Sequence, residues 1–170
     1  MYRFLVDKLK IKYFALSDQN PNDGVNKKIF SQVSELSRLG VNIELALVCA
    51  EDVHYPIYDF LTPYWVEKVP MGDLFGRIKR ARKISKVFGE IIRSLGPDDV
   101  LYCRYSSSFF LYYPIKYLKW FRTCKIVTEH QTKELDELKL RNSVLGYWSE
   151  FLFGKLLRKQ SDAIIGVTNE

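Results

Sequence analysis

A chain of 170 residues fills one ordinary domain, and its 47% apolar and 27% charged residues are those of a globular protein with a proper core. The net charge of +6 and pI near 9.1 point to an anionic partner, with nucleic acid, a phosphorylated substrate and anionic lipid as the choices. Cys49, Cys103 and Cys124 lack the paired spacing of a disulfide framework and read as buried thiols; no metal-ligand spacing exists.

The apolar run at residues 4–6 is broken by Asp7 and Lys8, too soon for a signal peptide. No apolar stretch approaches the roughly 20 residues of a membrane span, so the expected location is cytoplasmic. Residues 11–16 read as a first strand. The cluster Ser17-Asp18-Gln19-Asn20-Pro21-Asn22-Asp23-Gly24 is dense in turn formers. A helix follows from about Val25, with Ile29, Val33, Leu36 and Leu39 on one face and Gly40 just past its end. Residues 42–48 form the second strand and complete a right-handed βαβ unit. The Tyr- and Pro-rich stretch 51–70 holds a short strand near 65–69. Asp73 caps a long helix to about Leu95, closed by Gly96-Pro97. A strand at 100–103, a helix-like segment at 109–121 and a strand at 125–128 follow. A polar loop, a helix at 145–159 and a last strand at 163–167 complete the alternation. Short apolar runs separated by helical stretches are the pattern of buried parallel strands. The expected fold is one α/β domain over residues 1–170: an open, mainly parallel Rossmann-like sheet with helices on both faces.

In such a sheet ligands lie beyond the carboxyl ends of the strands, which singles out residues 22–25, 104 and 129–131. The 17–24 loop has a single glycine and matches neither the dinucleotide fingerprint nor a P-loop. Gly24 admits a close backbone approach, and the helix N-terminus behind it favours an anion; the plainer reading is a capping turn made by Asn22 or Asp23. Arg104, at a strand end, is suited either to a bidentate phosphate or carboxylate contact or to an ion pair with a neighbouring acid. His130 sits between Glu129 and Gln131, where a glutamate beside it is expected to orient and tune it; the alternative is a structural histidine.

The 73–95 helix carries Arg77, Lys79, Arg80, Arg82, Lys83, Lys86 and Arg93 against one acid, Glu90. A basic amphipathic helix suits an anionic membrane surface, through Arg77, Arg80, Lys83 and Lys86; the alternative is a crossover helix with a solvated basic face. Its apolar members Leu74, Phe75, Ile78, Ala81, Ile84, Phe88, Ile91, Ile92 and Leu95 are expected to cover the sheet. The segment 109–122 is aromatic on every face with interleaved cations, which fits a helix buried on one side and touching a partner or lipid on the other, or one wholly in the core. Stacking on single-stranded nucleic acid is a third use of such a mixture, but no other nucleic-acid motif accompanies it, so no nucleic acid is expected as partner.

Five segments in order resemble the N-terminal domain of a GT-B glycosyltransferase of the large retaining family 4. They are Asn22-Asp23-Gly24-Val25-Asn26-Lys27-Lys28-Ile29, Leu36-Ser37-Arg38-Leu39-Gly40-Val41-Asn42-Ile43-Glu44-Leu45, Pro97-Asp98-Asp99-Val100-Leu101-Tyr102-Cys103-Arg104, Lys125-Ile126-Val127-Thr128-Glu129-His130 and Ser161-Asp162-Ala163-Ile164-Ile165-Gly166-Val167-Thr168. The resemblance implies an acceptor-binding half, with a nucleotide sugar as donor substrate and no other cofactor. It implies that Asn22, Asp23, Gly24, Val25, Arg104, Glu129 and Gln131 meet acceptor or donor phosphates and that His130 supports the reacting sugar. The donor-side motif of two glutamates has no place in these residues, so a C-terminal donor domain is expected elsewhere and the chain alone is expected to be inactive. The implied activity is transfer of a sugar to a lipid-linked or glycan acceptor at the cytoplasmic membrane face, as in polysaccharide biosynthesis. The alternative is a non-catalytic membrane-docking subunit that recruits a separate donor-binding chain.

Overall fold

The computed structural model describes residues 9–17, 23–50, 55, 58–70, 73–105, 118–119, 121–130, 134–140, 142 and 144–166. The strands are β1 (Lys10–Ser17), β2 (Asn42–Ala50), β3 (Leu61–Val66), β4 (Val100–Arg104), β5 (Lys125–His130) and β6 (Ala163–Gly166). They pair in parallel throughout, in the order β3-β2-β1-β4-β5-β6. The chain moves outward from β1 through β2 to β3, then crosses back to β4 and continues the other way. The order therefore reverses between β1 and β4, the arrangement of a doubly wound Rossmann-like sheet.

The helices follow from their caps and apolar spacing. In α1 (Gly24–Arg38) the Asp23 carboxylate accepts the Val25 N–H at 3.1 Å, and Ile29 and Val33 are buried. Gly40 ends it at φ 82°, with Val41 N–H donating to the Leu36 carbonyl and Gly40 N–H to that of Ser37, a Schellman closure that needs the left-handed residue. In α2 (Leu74–Arg93) the Asp73 carboxylate accepts the Gly76 N–H at 2.8 Å. Beyond β5 come α3 (Glu134–Leu140), α4 (Val144–Ser149), a π-turn at Glu150–Gly154 and α5 (Lys155–Gln160).

Strand alternation divides the core between the two faces of the sheet. Tyr13, Ala15, Ile43, Leu45 and Leu47 face Ile29 and Val33 of α1. Phe14, Ala46, Val48, Leu101, Cys103 and Ile126 face Ile84, Phe88, Ile91 and Ile92 of α2. Phe14 and Phe88 meet edge to face at 4.8 Å, and burying each contributes about 1.5–3 kcal/mol.

Three expectations are corrected, and a fourth falls outside the described residues. The third strand lies at Leu61–Val66 rather than 65–69; it contains Pro63, which an edge strand tolerates because only half its N–H groups are needed. The polar loop after β5 contains the helix α3, and the single helix at 145–159 is broken by the π-turn. On α2, only the carboxyl-terminal half of the apolar stripe covers the sheet; Phe75 is 84% exposed and Ile78 44%. Finally, the helix expected at 109–121 lies almost wholly outside the described residues.

Candidate functional site

The switch point is the crevice at the carboxyl ends of β1 and β4. Ser17 closes β1, and its Oγ accepts a hydrogen bond from Tyr55 Oη at 3.0 Å. The chain re-enters at Asp23 and Gly24, so the N-terminus of α1 opens at this edge. Asp23 Oδ1 caps the helix, as the plainer reading expected, while Oδ2 is buried with no hydrogen-bond partner among the described residues. A Cβ at Gly24 would meet no atom of the described residues within 4 Å beyond its chain neighbours and its own helix, so no described contact demands glycine there. Val25 follows, exposed. Asn22 and Gln131 lie outside the described residues.

Arg104 ends β4, half-buried, and forms no ion pair with another described residue. Its strand parity is that of Tyr102, which places it on the α1 face. Its charge is close enough to Tyr13 and Tyr102 to favour their phenolates, yet burial and the neighbouring Glu129 carboxylate push both hydroxyls well above their usual value. Both tyrosines therefore act as donors.

Glu129 is their acceptor. Only 1% exposed, it takes Tyr13 Oη at 3.1 Å and Tyr102 Oη at 2.8 Å on one oxygen, and Lys28 Nζ of α1 lies 3.6 Å from the other. This carboxylate is a clamp joining β5 to β1, β4 and α1. Its oxygens are engaged by these groups and shielded from water.

His130 points the other way. Its ring stacks on Tyr105, centroids 4.3 Å apart and planes 22° from parallel. Tyr105 continues the ladder past β4, its N–H donating to the Glu129 carbonyl at 2.8 Å. Its hydroxyl donates to Glu150 Oε2 at 2.5 Å, and Arg158 Nη1 holds the other oxygen of that buried carboxylate at 2.5 Å. Successive residues of a strand face opposite sides, so Glu129 cannot orient His130 through its side chain; Tyr105, Glu150 and Arg158 do so instead. Gly154 makes this possible, since a Cβ there would collide with the Glu150 carboxylate.

Gly24, Arg104 and His130 thus share the carboxyl edge, on or after β1, β4 and β5. The outer two strands are about 10 Å apart at a spacing near 4.8 Å. The edge carries a helix N-terminus and a guanidinium on the α1 face, a pair suited to an anionic ligand, and on the opposite face the largely buried imidazole of His130. Of the expected membrane contacts, Arg77, Lys83 and Lys86 are exposed and Arg80 is half-buried. Cys103 and Cys124 are held as thiols by burial, and Cys49, on β2, is buried as well. Tyr13, Tyr102, Tyr105, Lys28 and Glu150 had no distinguishing pattern in the sequence; strand parity alone signalled that residues 129 and 130 diverge.

No protein-family profile matches this chain, and neither does any curated protein. Among solved structures, an α-glucosyltransferase in complex with UDP and a 13-mer DNA containing a central A:G mismatch aligns with it at 14% identity and a TM-score of 0.47. That alignment covers 94% of this chain and 37% of the other. The fold assigned above rests on this chain's own strand order and pairing.

Proposed function

We propose that this domain is the acceptor-side half of a retaining, family 4-like glycosyltransferase that moves a sugar from a nucleotide-sugar donor to a lipid-linked or glycan acceptor. The observation that carries the reading is the order reversal between β1 and β4, with Arg104 and the open N-terminus of α1 on either side of it. In such a reaction the protein's task is positioning, together with stabilising positive charge at the anomeric carbon and negative charge on the departing phosphate. Arg104 and the α1 N–H groups answer the negative charge. His130, fixed by Tyr105, approaches the sugar from β5. The donor site belongs to a further domain, which supplies the acidic side chains missing here. The exposed cations of α2 draw the domain to an anionic surface where a lipid-linked acceptor resides.

The test uses the coupling of fold and ligand at Gly24. These 170 residues alone transfer no sugar; joined to a donor-binding domain they do. In that enzyme Gly24→Ala leaves stability unchanged or raises it by up to about 1 kcal/mol, because a methyl group in the first helical turn meets no described residue beyond its chain neighbours and its own helix and restricts the unfolded chain. Turnover falls at least about tenfold, because the same methyl group occupies the ligand's approach, a cost of about 1.4 kcal/mol at the barrier. Turnover by the chain alone, or full turnover by Gly24→Ala, overturns the reading.

A further inference from the structure

The segment from α4 to α5 is turned inside out. Trp148, Phe151, Leu152 and Leu156 recur at helical spacing and are 55%, 57%, 61% and 53% exposed. The opposite side carries a buried charge network, Glu150 with Tyr105 and Arg158, so the side bearing Glu150 faces the protein. The outward stripe ends in Lys155 and Lys159, both exposed. Glu150 is the sole acid between residues 144 and 160, and it is 2% exposed and neutralised by Arg158. The net charge that residues 144–160 present to solvent is therefore positive.

We propose that this stripe is a membrane-inserting surface for an anionic bilayer, with the aromatic side chains at the headgroup level and the two lysines reaching anionic headgroups. The chemistry discriminates among occupants. A second copy pairing through the same stripe would set lysine against lysine with no exposed acid on the segment to answer them. A protein interface core is depleted of lysine, yet here Lys155 lies between Leu152 and Leu156 in the stripe. A bilayer interface accepts both, because tryptophan and phenylalanine partition to the headgroup region while lysine stems lie along the acyl boundary with their charges in water. Trp148 and Phe151 stand edge to face with ring centroids 5.8 Å apart, a rigid pair that loses little freedom on insertion. This contact is distinct from the electrostatic attraction of α2, and it stands without the glycosyl-transfer reading.

Co-sedimentation of the whole chain with vesicles tests it, comparing phosphatidylglycerol–phosphatidylcholine mixtures with phosphatidylcholine alone. Phe151→Ser/Leu152→Ser should weaken partition to the anionic vesicles by about tenfold or more, since two half-exposed apolar side chains lose their burial. Both positions face solvent, so the fold should persist, as circular dichroism would show. Lys155→Gln/Lys159→Gln should reduce binding toward the neutral-vesicle level. In a variant with Trp65→Phe and Trp120→Phe, doxyl-labelled lipid should quench Trp148 in anionic vesicles. Binding through α2 alone predicts no quenching, complete release at high salt and sensitivity only to Arg80→Gln/Lys83→Gln/Lys86→Gln. That pattern overturns the proposal. So does a dimer in sedimentation velocity that Phe151→Ser/Leu152→Ser dissolves, or equal partition by the parent and that variant.

Discussion

Removing Arg158 should harm this protein more than removing its partner Glu150, although the two share one contact. The Glu150 side chain is 1% exposed and that of Arg158 is 32% exposed. Arg158→Met strands a carboxylate in the interior, where only the Tyr105 hydroxyl remains to it. Breaking a buried pair in this way costs about 3–5 kcal/mol. Glu150→Gln instead leaves an acceptor for Tyr105 and frees a guanidinium that already touches water, so the loss is nearer 1–2 kcal/mol. The gap, about 2 kcal/mol, corresponds to about 4–8 °C in Tm for a domain of this size. Thermal unfolding followed by circular dichroism at neutral pH reads it directly. Glu150→Gln/Arg158→Met should sit close to Glu150→Gln alone, because with no carboxylate to strand the second substitution costs little. Equal losses from the two single substitutions, or a double variant as unstable as their sum, would refute the asymmetry. The result bears on the site, since Tyr105 is the surface on which the His130 ring stacks.

Tyr102→Phe and Tyr13→Phe each remove one donor from the buried Glu129 carboxylate and should each lower urea-unfolding stability by about 1–3 kcal/mol, with a loss under about 0.5 kcal/mol contradicting the clamp. Asp162, whose Oδ2 accepts the Ile126 N–H and Arg122 Nη1 at 2.7 Å each, ties the start of β6 to β5. Burial opposes its ionisation, but these hydrogen bonds and the Arg122 and Lys119 charges outweigh it and hold the carboxyl below its usual range. A depressed folded value means the stabilisation is present above the unfolded carboxyl's titration and is lost as pH falls through the folded one. Asp162→Asn should thus be less stable than the parent at pH 7, with the two urea midpoints converging below about pH 4; a constant gap across pH would contradict this.

How far the sequence carries depends on whether a feature is set by periodicity or by which side of an element is covered. Strand and helix positions from Lys10 to Arg38 were legible because the turn cluster, the Asp23 cap and Gly40 are local signals that agree with one another. The switch point was legible for the same reason, since a parallel alternation of this kind puts loops at one edge whatever the residues. Local signals failed at Glu129 and His130. Adjacent in sequence, they look like a coupled pair, but a strand sends them to opposite faces, one to Tyr13 and Tyr102 and the other to Tyr105. The helical segment from Val144 to Gln160 shows the deeper limit. Its spacing separates an apolar side from a polar one, and the usual rule turns the apolar side inward. Glu150, Tyr105 and Arg158 reverse that rule: a carboxylate saturated by two partners makes the side bearing Glu150 the one that packs, and the aromatic side is left to the surroundings. Tyr105 lies 45 positions from Glu150, a pairing that only the sheet brings about. The same contact therefore fixes the His130 ring and turns Trp148 and Phe151 outward, so the site and the proposed membrane surface depend on one buried acid.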